Sequence, residues 1–489
     1  MKRMKQFMPP TTLLILLIIL SLSYACTATP TGTSKPSPPT STPSAPAPSL
    51  GPVIEQIPDQ RIEEGSSFEE ISLSLYVSDP DHQEDQLIWS YAGNVELGLR
   101  IEGQVLSVTA PDEGWSGTES ILLQVCDPDG NCDSAEVEFT IAPKNDPPSV
   151  SRILPKIILQ GEAFPEIALD KFVTDPDNSD GELIWEFSGS GELEVSVRDG
   201  VATIEIPTQM WHGSDRITFT ACDPGGLCDS SEVDFVVLGD DDLAITFIGV
   251  EGFLINAGGR KILVDTLFRE DLYDIPTSAI NAIEKGQPPF DEIDLVLVTH
   301  DHFDHFDPDR VVSYIHNHHG TPLISTEAAV ATFEAIDPDF EYISEFVHGF
   351  RPSVGQKINT DTAGIELEIL NLPHSGSTEP NLGFIIEVGG WKLIHIGDHA
   401  EEDASTLLSY QLSTSGIDVA FIPWISLTAE ETAMNIHEAI DMTWLIPMHY
   451  RSGNTENMEA FLFEIIQNVP DAVTFYRELD TWMAPTASE

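Results

Sequence analysis

Three histidines and two aspartates crowd one short stretch, His300-Asp301-His302-Phe303-Asp304-His305. Imidazoles and carboxylates so close together converge only if a metal or a strong counter-charge rewards it, and they suit divalent transition metals. His300 and His302 are two apart in extended chain and point to the same side. The turn at Asp304-His305 aims the next pair at a neighbouring point. The chemistry on offer is that of one or two bound cations acting on a water and a substrate.

The surrounding sequence says what must position this cluster. Ile293-Asp-Leu-Val-Leu-Val298 reads as a buried strand running straight into it. Asp307-Pro308 then opens a helix, an N-cap followed by proline in the first turn. The cluster therefore sits in a strand-to-helix loop, where an α/β sheet presents its functional groups. Ala244-Ile-Thr-Phe-Ile248, Phe253-Leu-Ile255 and Lys261-Ile-Leu-Val264 are further strands joined by glycine turns. From Leu243 to the end, such runs alternate with amphipathic helices, which predicts layered sheets and helices.

The run Thr299–His305 resembles the His-x-His-x-Asp-His signature of the metallo-β-lactamase superfamily. The rest of that pattern follows in order: Asp265 in Ile262-Leu-Val-Asp265, His374 in Leu372-Pro-His-Ser-Gly376, Asp398 in Leu393-Ile-His-Ile-Gly-Asp398, and His449 in Ile446-Pro-Met-His-Tyr450. The resemblance implies an αβ/βα metallo-β-lactamase-fold hydrolase over residues 243–489. It implies that His300, His302 and His374 hold one metal, that Asp304, His305 and His449 hold a second, and that Asp398 bridges them. Two divalent ions are expected, Zn²⁺ first, with Mn²⁺ or Fe as alternatives. They would furnish hydroxide at neutral pH to attack a carbonyl carbon or phosphorus, and Asp304 and Asp398 would pass the proton onward. Asp265 is expected behind the ligands or as a structural residue, His399 beside the pocket, and Tyr450 as a hydroxyl on the substrate side. His316, His318 and His319, at a helix end, are expected at the surface.

The start of the domain, Phe247-Ile-Gly-Val-Glu-Gly-Phe-Leu-Ile255, is similar to the branch holding ascorbate-6-phosphate lactonase and N-acyl phosphatidylethanolamine phospholipase D. Gly249-Val-Glu-Gly252 departs from the Gly-His pair common there, so the resemblance selects no substrate. Esters, lactones and phosphodiesters stay open, as small-molecule or lipid-like substrates. The alternative is a surface binding or adhesion protein whose metallo-β-lactamase-like domain is inert.

Upstream, two stretches repeat at one offset. Gly65, Phe68, Ile71 and Leu73 recur as Gly161, Phe164, Ile167 and Leu169; Leu87 and Trp89 recur as Leu183 and Trp185; Cys126 and Cys132 recur as Cys222 and Cys228. So many matches at one spacing mean a duplicated domain, with repeats over 52–147 and 148–242. Short apolar runs, such as Ser120–Val125 and Glu136–Ile141, between turn clusters predict a β-sandwich in each. The chain as a whole thus reads as multidomain, two all-β sandwich repeats followed by the α/β hydrolase domain. The cysteine pairs flank a turn, where disulfides Cys126–Cys132 and Cys222–Cys228 would pin a hairpin.

Asp79-Pro-Asp81, Asp127-Pro-Asp129 and the junction Asn145-Asp146 resemble bacterial cadherin-like and dystroglycan-type repeats. That resemblance implies Ca²⁺ on Asp79, Asp81, Asp127, Asp129, Asn145 and Asp146. The competing reading is that these residues cap turns.

Lys2, Arg3 and Lys5 precede the apolar run Leu13–Leu20, which predicts a signal peptide over 1–25. Leu22-Ser-Tyr-Ala-Cys26 resembles a lipobox, which implies lipidation at Cys26, with ordinary cleavage and secretion as the alternative. Residues 26–51, rich in Pro, Ser and Thr, read as an extended tether. Localisation at a bacterial envelope or cell surface, with the membrane as partner through the anchor, is the expectation. With 81 acidic against 22 basic residues the formal net charge is -59. Such a surface repels phosphate backbones, so no nucleic-acid partner is expected.

Overall fold

A computed structural model describes residues 49–269, 275–374, 380–399, 404–450 and 455–485. The signal segment, Cys26 and nearly all of the tether lie outside the described residues. No helix among those described is long and apolar enough to cross a membrane.

The chain divides into two compact units, residues 1–143 and 144–489. In the first, a four-stranded sheet runs Gln60–Glu63, Cys132–Ala142, Gly117–Cys126, Ile88–Ala92. A three-stranded sheet of Ile71–Ser72, Val105–Thr109 and Gly98–Glu102 faces it. Alternate residues of the long hairpin point inward, and Ile121, Leu123, Val137 and Phe139 fill the core. The Cys126–Cys132 disulfide closes this hairpin at paired positions.

The second repeat rebuilds the same sandwich inside the second unit, down to the Cys222–Cys228 disulfide. Phe164 meets Phe235 edge-on at 5.2 Å, as Phe68 meets Phe139 in the first. It differs where it packs on the carboxy-terminal domain. Val236 and Leu238 stand where the first repeat has Thr140 and Ala142, and they are buried with Ala244 against Ile157 and Met483. Polar contacts surround this seam. Arg152 donates to Asp480 (3.0 Å) and to the Glu478 carbonyl (2.8 Å). Arg216 pairs with Asp234 at 2.7 Å, and Asp234 accepts from the Thr481 N–H. Arg477 bonds Glu232. The second repeat is thus built into the same compact unit as the carboxy-terminal domain.

In the carboxy-terminal domain the strands are β1 Leu243–Gly249, β2 Gly252–Ala257, β3 Arg260–Val264, β4 Leu295–Leu297, β5 Leu323–Thr326, β6 Val347–Phe350, β7 Ile358–Thr362, β8 Ile365–Asn371, β9 Leu382–Val388, β10 Trp391–His395, β11 Ile417–Pro423, β12 Met442–Met448 and β13 Thr481–Met483. One sheet has the order β6-β5-β4-β3-β2-β1-β13, the other β7-β8-β9-β10-β11-β12. Period-two alternation explains the layering. Phe253, Ile255, Ile262, Val264, Leu295 and Leu297 face the second sheet's Ile369, Phe384 and Leu393 in one core. Their neighbours Leu254, Leu263 and Val296 face the other way. They pack on α1 Thr277–Lys285, α2 Pro308–Asn317 and α3 Glu327–Ile336 through Ile283, Val311, Ile315 and Phe333.

Helix α2 begins as expected: the Asp307 side chain accepts from the Arg310 N–H, and Pro308 is the first helical residue. Strand β4 is shorter than the apolar run Ile293–Val298 suggested. The Thr299 N–H leaves the ladder and donates to the Asp265 carboxylate instead, at 2.8 Å.

Candidate metal centre

Each expected ligand lies just beyond the carboxy end of a strand. The His300–His305 turn follows β4, His374 follows β8, Asp398 follows β10 and His449 follows β12. Side chains from four separate strand ends therefore meet over one edge of the two-sheet core.

They meet as two groups sharing one carboxylate. The rings of His300, His302 and His374 form a triangle with centroids 4.6–4.9 Å apart. Asp398 Oδ2 faces this triangle, 3.1 Å from His374 Nε2 and 3.7 Å from His300 Nε2. Asp398 Oδ1 faces the other way, 3.5 Å from His305 Nε2 and 3.6 Å from His449 Nδ1. Asp304 Oδ2 lies 3.5 Å from His449 Nε2. All seven residues singled out from the sequence are brought together.

The donor atoms fit cations. His300 Nε2, His305 Nε2 and Asp398 Oδ1 are buried and have no hydrogen-bond partner. Buried polar atoms are normally satisfied, and orphans aimed into these two groups are what bound metals would satisfy. One donor atom each from His300, His302, His374 and Asp398 lies within 4.8 Å of the others.

Asp265, wholly buried, holds the centre from behind. It accepts from Thr299 N (2.8 Å), Thr299 Oγ1 (2.8 Å) and His305 Nδ1 (3.0 Å). This fixes the His305 proton on Nδ1 and turns Nε2 toward Asp398. Asp265 and His449 both take positive φ, 47° and 64°, a sparsely populated conformation for non-glycine residues that is found at functional sites.

One residue was not anticipated. Glu251, in the β1–β2 turn, is fully buried, and neither carboxylate oxygen has a hydrogen-bond partner. It offers a donor atom within 4.8 Å of those of His305, Asp398 and His449. The turn is tied to the ligand loops, because the His449 N–H donates to the Val250 carbonyl at 2.8 Å. The sequence signal was Gly249-Val-Glu-Gly252 itself. A Cβ on Gly252 would lie 2.9 Å from the Asp265 carbonyl, so the glycine permits the close approach that seats Glu251.

The electrostatics follow the crowding. Burial disfavours a charge on His300, and the neighbouring His305 adds to this, so its pKa falls well below the usual imidazole value. Burial also opposes a charge on His305, but Asp398, Glu251 and Asp265 outweigh it and hold its pKa well above that value. Asp398 is held far below the ordinary carboxylate range despite burial, by His305, His374 and His449. Burial, reinforced by the Asp398 charge, pushes Glu251 well above that range.

Of the other residues singled out from the sequence, Tyr450 departs from its expectation, whereas His399 lies beside the centre and His316 away from it. The Tyr450 hydroxyl donates to the Phe475 carbonyl (2.9 Å) in the core, so it does not face a substrate. His399 is buried beside His374, with Nδ1 3.2 Å from the Pro373 carbonyl. His316 is paired with Asp337 (2.8 Å), away from the centre.

The six candidate Ca²⁺ ligands do not form one group. Asp79, Asp127 and Asp129 surround His82, whose nitrogens lie 3.4–4.0 Å from their oxygens. Asp81 accepts from the Leu50 N–H. Asn145 and Asp146 instead bond Asp223 and Asp177 of the second repeat, at 2.7 Å each. Asp79 and Asp127 in addition accept from the N–H groups of Asp81, His82 and Asn131, as capped turns do.

Parts of the chain are similar to known proteins. Residues 244–449 match the model of a beta-lactamase superfamily domain, and residues 50–140 that of a bacterial Ig domain. A UPF0173 metal-dependent hydrolase of Staphylococcus epidermidis is 24% identical over 226 residues, 43% of this chain and 86% of the relative. Among solved structures, Igni18, a metallo hydrolase of Ignicoccus hospitalis, aligns at 17% identity and TM-score 0.34 over 50% of this chain and 99% of its own. The human desmocollin-1 ectodomain aligns at 12% identity and TM-score 0.27 over 40% of this chain and 43% of its own. The carboxy-terminal part of the chain, over residues 244–449, is a beta-lactamase superfamily domain, and it follows a bacterial Ig domain at residues 50–140.

Proposed function

We propose that this domain is a metal-dependent hydrolase with a dinuclear centre, acting on an ester, a lactone or a phosphodiester in a small or lipid-like molecule. The observation that carries the reading is Asp398, whose two oxygens face two separate imidazole groups. His300, His302 and His374 would hold one cation, and Asp304, His305 and His449 the other, with Asp398 shared. Bound there, the pair would supply Lewis acidity and a water that ionises near neutral pH. Asp265 keeps His305 in the tautomer that presents Nε2. Asp304 and Asp398 are placed to take up the proton released during cleavage and pass it on. The convergence of seven donor residues disfavours an inert, purely adhesive domain. The net charge of -59 disfavours polyanionic substrates. We also propose export, with the chain held at a bacterial membrane by lipid on Cys26.

The test is metal quantitation on the purified chain, followed by chromogenic ester, lactone, β-lactam and phosphodiester substrates. About two equivalents of divalent metal are expected, and His302→Ala and Asp398→Ala should each abolish turnover. Full activity in both variants refutes the mechanism.

A further inference from the structure

We infer that Glu251 is itself a ligand at the second metal position, and that it tilts this position toward Mn²⁺ or Fe²⁺ over Zn²⁺. The inference rests on the dinuclear reading above and deepens it. Three observations carry it.

The first is satisfaction. Glu251 is fully buried, no N–H or O–H group donates to either oxygen, and the neighbour that shares a proton with it when it is protonated is another carboxylate, Asp398. His305 Nδ1 is 3.5 Å from Oε2 and is already engaged by Asp265 at 3.0 Å. Glu251 is therefore not needed to orient His305. A buried carboxylate left in this state is costly unless a cation meets it.

The second is convergence. Donor atoms of Glu251, His305, Asp398 and His449 lie within 4.8 Å of one another, so one cation can touch all four.

The third is charge. Glu251, Asp265, Asp304 and Asp398 gather at the centre, and none pairs with a lysine or arginine among the described residues.

With Glu251 and Asp398 among its four converging donors, the second position is richer in oxygen than the imidazole triangle of the first, where Asp398 is the one carboxylate. Carboxylate-rich sites suit Mn²⁺ and imidazole-rich sites suit Zn²⁺.

The experiment uses the full chain, freed of metal and dialysed against Mn²⁺ or Zn²⁺, with bound metal counted by elemental analysis. Glu251→Gln keeps the shape and can still donate to Asp398 as a protonated glutamate would. Wild type should bind two equivalents of either ion. The variant should keep one, with Mn²⁺ affinity at the second position lowered more than about 100-fold, beyond the loss typical of a group that only supports a ligand. Zn²⁺ should suffer less than Mn²⁺. Melting in EDTA should show the metal-free variant about as stable as wild type, so that a lost site is not a lost fold. In wild type the second Co²⁺ equivalent should give the weak visible bands of a five- or six-coordinate ion. Unchanged Mn²⁺ affinities in Glu251→Gln, or intense four-coordinate bands from that Co²⁺, overturn the role of Glu251 alone. A wild type that takes up fewer than two ions overturns it together with the dinuclear reading.

Discussion

Replacing Asp265 by asparagine tests how the centre is held. The substitution keeps volume and shape in a fully buried position. If the amide oxygen stays on the Thr299 N–H, the amide NH₂ takes the place of Oδ2, which now accepts from Thr299 Oγ1 at 2.8 Å and from His305 Nδ1 at 3.0 Å. The hydroxyl can rotate and accept. The imidazole cannot: with its proton on Nδ1, two donors face each other. Relief comes from moving that proton to Nε2, the atom 3.5 Å from Asp398 that should bind metal. Metal binding must reverse this tautomer and give up a charge-assisted hydrogen bond worth about 1.5–3 kcal/mol. At about 1.4 kcal/mol per tenfold, affinity at the second position should fall roughly 10–100-fold. The first position, which Asp265 does not touch, should keep its affinity. Competition against a chromogenic chelator at fixed pH reads both. Wild-type affinity at the second position in Asp265→Asn would refute the tautomer argument.

Two further outcomes follow. His395 is buried, Nε2 lies 3.2 Å from the Glu251 carbonyl, and Nδ1 accepts from the Gly397 N–H, so the ring is held neutral; burial lowers its pKa to about 4. Because the folded value lies below the unfolded one near 6.5, its contribution is complete above about pH 6.5 and is lost as pH falls toward 4, about 3 kcal/mol in all. Urea unfolding in EDTA should show wild type losing that much more than His395→Phe over this window, and parallel curves would exclude it. For the anchor, radioactive fatty acid should label the wild-type chain and not Cys26→Ala; equal labelling of both would remove the lipid from Cys26.

Much of the centre was legible because its ligands are local punctuation. The His300–His305 run, His374, Asp398 and His449 each end an apolar strand, and Asp307-Pro308 marks the helix start that closes the first loop. Glu251 escaped because an acidic residue in a glycine turn reads as solvated, and only the burial contributed by distant strands makes it otherwise. Tyr450 misled for a similar reason. It follows a ligand, yet its ring stacks on Phe247 (5.3 Å) and its hydroxyl turns to Phe475, a choice made by the core and invisible in local sequence. The docking of the second repeat left a trace, Thr140 and Ala142 becoming Val236 and Leu238. Its meaning depends on a surface 240 positions away, at Glu478–Thr481.

That docking bears on how such a chain can be rearranged. Cutting between Asp242 and Leu243, where the composition changes, would strip Val236 and Leu238 from Ala244 and Met483 and strand Asp480 without Arg152. The seam open to shuffling onto another carrier lies instead at Pro143-Lys144, so the enzyme must travel with one sandwich attached and can shed only the other.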